Sequence, residues 1–409
     1  MPDLSFSSLA VVLAVAFFTP LALGLVPRVR VPSVVVEIVL GIVIGPAVLG
    51  WARPDQVVKT LSVVGLAFLL FLAGLELDLT RLKGRTLTLT SVGFGLSRLL
   101  AAAFGFGLSS AGLVRSPLLA AVILTATSLG LVLPVLKEAG QTGSVLGQLI
   151  IAAASIADFA AIVLLSLLFS RDASGPGAKL VLLAEFALLI GVLGVTLAVS
   201  GRSMRISALL VRLQDSTAEI RVRGAVLLLI LVIVLAQHFG LETILGAFVA
   251  GAVVGLVDRD TAHTHPQFRV KLDAIGYGFV IPVFFVTSGM EFDLQALRHR
   301  PSTLVLVPLV LAALLVVRGV PALLYRSTIG GNGAAAAGLL QATSLPFIVA
   351  STAIGVSLGL ITPATSAAFV AAGLASALIF PVAALTFLRR ADRPVPAGET
   401  SGAAVDPVR

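Results

Sequence analysis

Long apolar runs, separated by short polar breaks, occupy almost the whole chain. They fall at about 5–25, 33–49, 57–77, 86–112, 117–136, 145–170, 177–199, 220–238, 242–257, 270–288, 302–325, 332–354 and 361–388. A helix needs about 20 mostly apolar residues to cross a bilayer, and most of the runs come close to that length. The pattern predicts an all-α polytopic membrane protein with 13 transmembrane helices. The first run has no basic segment before it and no A-x-A-like cleavage site. It reads as a membrane helix and not as a removable leader. Residues 389–409 form a short tail rich in Pro, Gly and charge, read as disordered.

Composition strengthens the membrane reading. The chain is 58% hydrophobic and only 12% charged, with a mean hydropathy of +1.10. A soluble protein this apolar would expose large sticky patches. The 39 glycines and abundant alanine suit close helix–helix approach in lipid. There is no cysteine, and so no disulfide framework or thiolate metal site.

A net charge of +8 would fit a nucleic-acid binder, but the positions of the charges exclude nucleic acid as a partner. The Lys and Arg residues lie in the short loops, where they act as topology signals. Loops after odd-numbered runs, together with the tail, hold 19 of the 28, and the opposite loops hold 7. This asymmetry places the N-terminus outside and the C-terminus in the cytoplasm. The two left over, Arg98 and Arg318, fall inside predicted helices.

The chain also repeats itself. Gly74-Leu-Glu-Leu-Asp-Leu79, closing the third run, matches Gly289-Met-Glu-Phe-Asp-Leu294, closing the tenth. Ala126-Thr-Ser-Leu129 in the fifth run returns as Ala342-Thr-Ser-Leu345 in the twelfth, and Glu37-Ile-Val-Leu-Gly41 more weakly as Glu242-Thr-Ile-Leu-Gly246. Each pair lies seven runs apart, an odd number, so the copies have opposite orientations in the membrane. Such inverted repeats characterise many secondary transporters.

The chemistry gathers on the paired Ala-Thr-Ser-Leu segments and on one carboxylate. Thr125, Thr127 and Ser128 lie mid-run, followed by Gly130 and Pro134, and Thr343 and Ser344 are followed by Pro346. Gly and Pro free backbone groups, and the hydroxyls can satisfy them again. Interrupted helices at equivalent positions of inverted halves point to a substrate site. Hydroxyls that merely bond back to their own helix are the plain alternative.

Asp158 is the only carboxylate inside the run 145–170, and Ser155, three residues earlier, shares its helix face. A charge at bilayer depth costs at least about 2.5–3.5 kcal/mol on insertion scales. A carboxylate, a hydroxyl and freed carbonyls make a hard oxygen site suited to an alkali cation. Desolvation favours the protonated form of a carboxyl group and a bound cation the ionised form. A group that holds either one, but not both, is the minimal machine for exchange. Arg318 needs a buried acceptor, either Asp158 or the carbonyl end of a broken helix. Arg98 can snorkel toward an interface. Glu37 and Glu242 read as interfacial or dimer-contact residues, Glu185 stays unassigned, and the exposed His263-x-His265 pair does not read as a metal site.

The order of these features resembles the bacterial cation:proton antiporter superfamily. The features are 13 helices, Phe68-Leu-Leu-Phe-Leu-Ala-Gly-Leu-Glu-Leu-Asp78 closing the third, and the sixth-helix aspartate. The nearest branch is its second one, of the Kef and NapA types. The resemblance spans about 1–388 and implies a multi-pass protein of the bacterial inner membrane, working as a homodimer. A dimerisation part would use about 1–78 and 219–290, and a mobile core about 86–170 and 302–388. A linker helix would span about 177–200. The fifth and twelfth helices would be discontinuous and crossed, and the core would carry ions at Asp158 in an elevator motion. Arg318 matches the basic residue of the family's eleventh helix.

One departure matters. Relatives place an acidic, Asn or Gln residue directly before the aspartate, where this chain has Ala157. A single titratable group favours electroneutral, one-for-one exchange of Na⁺ or K⁺ for H⁺. The only metal expected is the transported cation, with no cofactor and no enzyme activity. A sodium-coupled organic-anion symporter of similar architecture is the alternative, and it would need a roomy pocket. A cation channel fits less well, because no repeated carbonyl-filter motif is visible.

Overall fold

The computed structural model describes residues 6–25, 31–76, 84–169, 176–201, 219–260, 267–294 and 301–391. Every regular element among them is helical. The first half supplies α1 (Ser7–Leu25), α2 (Ser33–Ile44), α3 (Gln56–Leu75) and α4 (Gly84–Ser110). Next come α5 (Pro117–Thr125), α6 (Leu129–Glu138), α7 (Val145–Phe169) and α8 (Pro176–Gly201). The second half adds α9 (Ile220–His238), α10 (Thr243–Asp260) and α11 (Gln267–Met290), with a π turn at Gly276–Val280 inside α11. Then follow α12 (Pro301–Leu314), a π turn at Leu315–Gly319, and a 3-10 turn at Val320–Tyr325. The series ends with α13 (Arg326–Ala342), α14 (Pro346–Ser357) and α15 (Pro363–Ala391). Eight helices among the described residues are long and apolar enough to cross a membrane.

Local chemistry explains where helices begin. Asp55 caps α3 by accepting from the Val58 amide at 3.0 Å, and Ser116 caps α5 through the Leu119 amide at 3.3 Å. Pro117 and Pro346 open α5 and α14 at positions where the missing amide hydrogen costs nothing. α13 bends at Gly330, whose φ of +73° belongs to the left-handed region that glycine alone enters freely.

Packing is close where small residues face each other. The backbone of α10 at Gly251 lies directly on that of α3 at Phe71, and α2 and α11 meet at Gly41 and Gly289. α2, α3, α10 and α11 form one tightly contacting set, while α4, α5, α12, α13 and α15 form another. Large apolar side chains remain on the outside, among them Phe17, Phe18, Leu99 and Leu188. In water such a surface would be a liability, whereas lipid is its natural solvent.

Three expectations fall on residues outside those described. They are the histidines at 263, 265 and 299, the aspartate at 78, and the tail beyond Ala391. Glu37, read from sequence as an interfacial or dimer-contact residue, is buried within the single chain, whereas Glu185 is exposed.

Candidate cation site at the helix breaks

Two interruptions meet. Ala126, Thr127 and Ser128 leave the helical conformation between α5 and α6, with ψ angles of 149° at Ala126 and 97° at Ser128. Thr343, Ser344 and Leu345 do the same between α13 and α14. Each break frees backbone groups that would be costly to bury unpaired, and each supplies partners to the other. The Ser128 amide donates to the Thr343 carbonyl at 3.0 Å. Thr127 Oγ1 donates to the Gln341 carbonyl at 2.7 Å.

Asp158 on α7 faces this junction. The Thr127 amide donates to its Oδ1 at 3.3 Å and the Leu129 amide to its Oδ2 at 3.4 Å. The Leu129 amide opens α6, where first-turn N–H groups have no partner in the helix and the dipole is positive, and the Thr127 amide lies just ahead of it in the break. A carboxylate suits that position. It has about four acceptor sites, so these two bonds leave further lone pairs for a proton or a cation.

Arg318 is almost wholly buried, on the π turn after α12. Its Nε donates to Thr127 Oγ1 at 2.9 Å, one terminal nitrogen to Ser97 Oγ at 3.3 Å, and the other to the Ala153 carbonyl at 3.5 Å. Among the described residues no ion pair joins it to Asp158 directly. Its contact with the carboxylate runs through Thr127, whose hydroxyl it holds and whose amide meets Asp158. The Thr127 proton points to Gln341, at the carbonyl end of α13. A hydroxyl that accepts from a cation is a stronger donor, so Arg318 acts through Thr127 on the negative pole of α13.

A cavity of about 70 Å³ opens beside Asp158, lined also by Thr127, Ser128, Gly130, Pro346, Glu76 and Tyr277. At about 30 Å³ per water molecule it has room for two waters or a partly hydrated alkali ion. Pockets for organic ligands start at about 300 Å³.

The site gathers some of the expected residues and leaves others aside. Asp158, Thr127, Ser128 and Pro346 line the cavity. Thr125 turns back to the Val122 carbonyl at 2.8 Å, and Thr343 Oγ1 to the Leu339 carbonyl at 3.1 Å. Ser155 is buried on α7 but does not line the cavity. Ser344 lies behind the break, where its amide donates to Ser376 Oγ at 3.3 Å and its carbonyl accepts from that hydroxyl at 3.1 Å. Arg98 is half-buried, with one buried guanidinium nitrogen lacking a partner and Phe94 at 6.0 Å.

Four contributors are not evident from sequence alone: Glu76, Tyr277, Ser97 and Ser376. Glu76 was visible only as part of the repeated helix end. Ser376 stands at nearly the same distance in sequence from the second break as Asp158 does from the first. That spacing is the signal that could have found it.

An apolar helical chain in which two broken helices meet beside a membrane-depth aspartate is built like a secondary transporter. Residues 13–389 match the transmembrane sodium/hydrogen exchanger family, and the chain belongs to that family. YjbQ of Bacillus subtilis (strain 168), a protein named for Na(+)/H(+) antiport, is 32% identical over 409 aligned positions. That match covers 96% of this chain and 65% of YjbQ, so the chain spans just under two thirds of this relative's length. A Methanocaldococcus jannaschii protein named as Na(+)/H(+) antiporter 3 is 30% identical over 385 positions, covering 91% of this chain and 94% of that protein. The solved structure of the sodium proton antiporter MjNhaP1 from Methanocaldococcus jannaschii shares the fold. Its TM-score is 0.60 at 17% identity, over 94% of this chain and 99% of that one.

Proposed function

We propose that the protein exchanges Na⁺ or K⁺ for H⁺, with both ions taking turns on Asp158. The observation that carries this reading is a single carboxylate held by two backbone amides at a junction of helix breaks, beside a cavity of about 70 Å³. A cavity that small argues against the organic-anion symporter, whose substrate needs several times the space. The relatives' names point the same way.

The finer reading follows from the repeat. Counting α5 with α6 and α13 with α14 as broken spans gives 13 crossings, with the N-terminus outside. The set containing α2, α3, α10 and α11 corresponds to the dimerisation part of a homodimer. The set containing α4 to α7 and α12 to α15 corresponds to the core, which moves Asp158 between the two faces as an elevator, with the broken helices crossing inside it. One carboxylate at the breaks supports one-for-one, electroneutral exchange. Glu76, at the end of α3, is a second carboxylate in the same cavity but contacts neither break by hydrogen bond among the described residues.

The test is pH-gradient dequenching in proteoliposomes, with each alkali cation, for wild type and Asp158→Asn. Wild type should collapse the gradient when Na⁺ or K⁺ is added, and the variant should not, while eluting as a folded protein. Normal transport by Asp158→Asn would remove the assignment.

A further inference from the structure

One wall of the Asp158 cavity carries a tyrosine that neither helix break uses. α11 is interrupted by the π turn at Gly276–Val280, where the Ile281 amide donates to the Gly276 carbonyl, five residues back. Pro282 explains the turn. It has no N–H for the Gly278 carbonyl, and in a regular helix its ring would press on that carbonyl. Gly276 lies against Leu72 and Phe68 of α3, where a methyl group would stand 2.6 Å from Leu72 Cδ1. The π turn is thus seated on α3 at Gly276, and the next residue, Tyr277, lines the cavity together with Asp158. Such turns inside α-helices frequently mark functional sites.

Tyr277 belongs to the set of α2, α3, α10 and α11, whereas Gly130, which also lines the cavity, lies in the first turn of α6. A methyl group added at Gly130 would stand 3.8 Å from the Tyr277 hydroxyl oxygen. That first turn is the one whose Leu129 amide donates to Asp158 Oδ2. The phenol therefore reaches from one set of helices to the edge of the break in the other. Its hydroxyl makes no hydrogen bond with any described residue, and Glu76 and Asp273 lie within electrostatic reach.

A free phenol hydroxyl offers lone pairs to a cation and a proton to a water or a carboxylate. The amides of Thr127 and Leu129 already occupy part of the Asp158 carboxylate, so a cation there needs oxygens from elsewhere. At about 30 Å³ per water, a cavity of about 70 Å³ cannot house a full hydration shell. Some of the ion's waters must give way to hard protein oxygens. Gly130, with no side chain, keeps the space between the hydroxyl and the break open.

We infer that Tyr277 is a specificity-determining residue for the transported cation, its hydroxyl replacing a water of the ion held at Asp158. The inference rests on the exchange reading above and adds to it a ligand from the other set of helices. Attraction between an ion and an oxygen falls with distance, so the hydroxyl favours the smaller of two alkali ions.

Transport kinetics in proteoliposomes, with each alkali cation, test it. Tyr277→Phe keeps the ring and removes only the hydroxyl. It should raise the cation KM several-fold, most for the smallest of the ions carried, and leave the maximal rate nearly constant. The pH at which KM begins to rise should stay where it is in wild type, because Asp158 keeps its two amides. An unchanged KM overturns the inference. So does a raised KM accompanied by a fallen maximal rate and a displaced pH profile, which is the pattern of a structural loss. Gly130→Ala gives an independent arm. The backbone there is helical and accepts Ala, and the methyl group narrows the space at the hydroxyl. Gly130→Ala should shift the cation KM in the wild-type background and not in Tyr277→Phe, since residues in contact act non-additively. Equal shifts in both backgrounds overturn the inference. If Tyr277→Phe fails to fold, Gly130→Ala alone decides, and an unchanged KM overturns it. Wild type separates the two readings. If it exchanges no alkali cation, both fall, and if it does exchange, Asp158→Asn does not and Tyr277→Phe behaves as wild type, only the role of Tyr277 falls.

Discussion

Thr127 does more at this site than its place in a four-residue repeat announces. Its amide meets Asp158, its hydroxyl holds Arg318, and its proton goes to the carbonyl end of α13. Replacing it by Val keeps the shape but removes the hydroxyl, leaving a buried guanidinium with one acceptor fewer. Leaving a buried charged donor short of a partner costs about 2–3 kcal/mol. Thr127→Val should lower the thermal unfolding midpoint and slow exchange, while Thr127→Ser should retain most of both. Unfolding followed in detergent, together with dequenching, checks this. Equal behaviour of the Val and Ser variants would mean the hydroxyl is idle. Arg318 was legible as a buried cation in need of an acceptor. That the acceptor is a hydroxyl on the first break could not be read from sequence, because it depends on how a π turn aims the side chain across three helices.

At the scale of elements, the breaks were legible and their placement was less so. The paired Ala-Thr-Ser-Leu segments marked both interruptions. The residues that leave the helix are 126–128, ahead of Gly130, and Pro134 lies inside α6. The first break is stabilised by its bonds to the second, and sequence periodicity carries no information about that pairing. Ser376 illustrates the same limit: it sits in a stretch of Ala, Gly and Leu, and only its bond to the second break gives it a role. Ser376→Ala removes the acceptor for the Ser344 amide and should cost about 1 kcal/mol or more, read as a lower unfolding midpoint. The contact of α3 with α10 is equally specific. A methyl group at Gly251 would collide with the Phe71 carbonyl, so Gly251→Ala must push the helices apart. Overpacking of this kind costs about 1–3 kcal/mol, and Gly251→Ala should unfold at lower temperature than Gly224→Ala, where nothing stands nearby. An unchanged midpoint would contradict the close backbone approach.

For the whole molecule, the two helix breaks meet beside Asp158, and each supplies hydrogen-bond partners to the other. The overall class was readable because long apolar runs report the bilayer directly. Glu76 in the Asp158 cavity was not, because nothing in a helix-end motif tells which neighbour it will face. Its presence makes the stoichiometry a question for the intact protein: one-for-one exchange predicts that an imposed membrane potential leaves the rate unchanged. A rate that follows the potential would mean that a second proton moves, with Glu76 as its first candidate carrier.

The central claim is that a cation and a proton take turns on one carboxylate. The most direct measurement is the Na⁺ or K⁺ KM of wild type in proteoliposomes across a range of pH. Competition predicts that KM rises as pH falls, approaching tenfold per pH unit, while the maximal rate reached at saturating cation stays nearly constant. A KM that does not move with pH, with the maximal rate falling instead, would mean that proton and cation bind to different groups and would contradict the account.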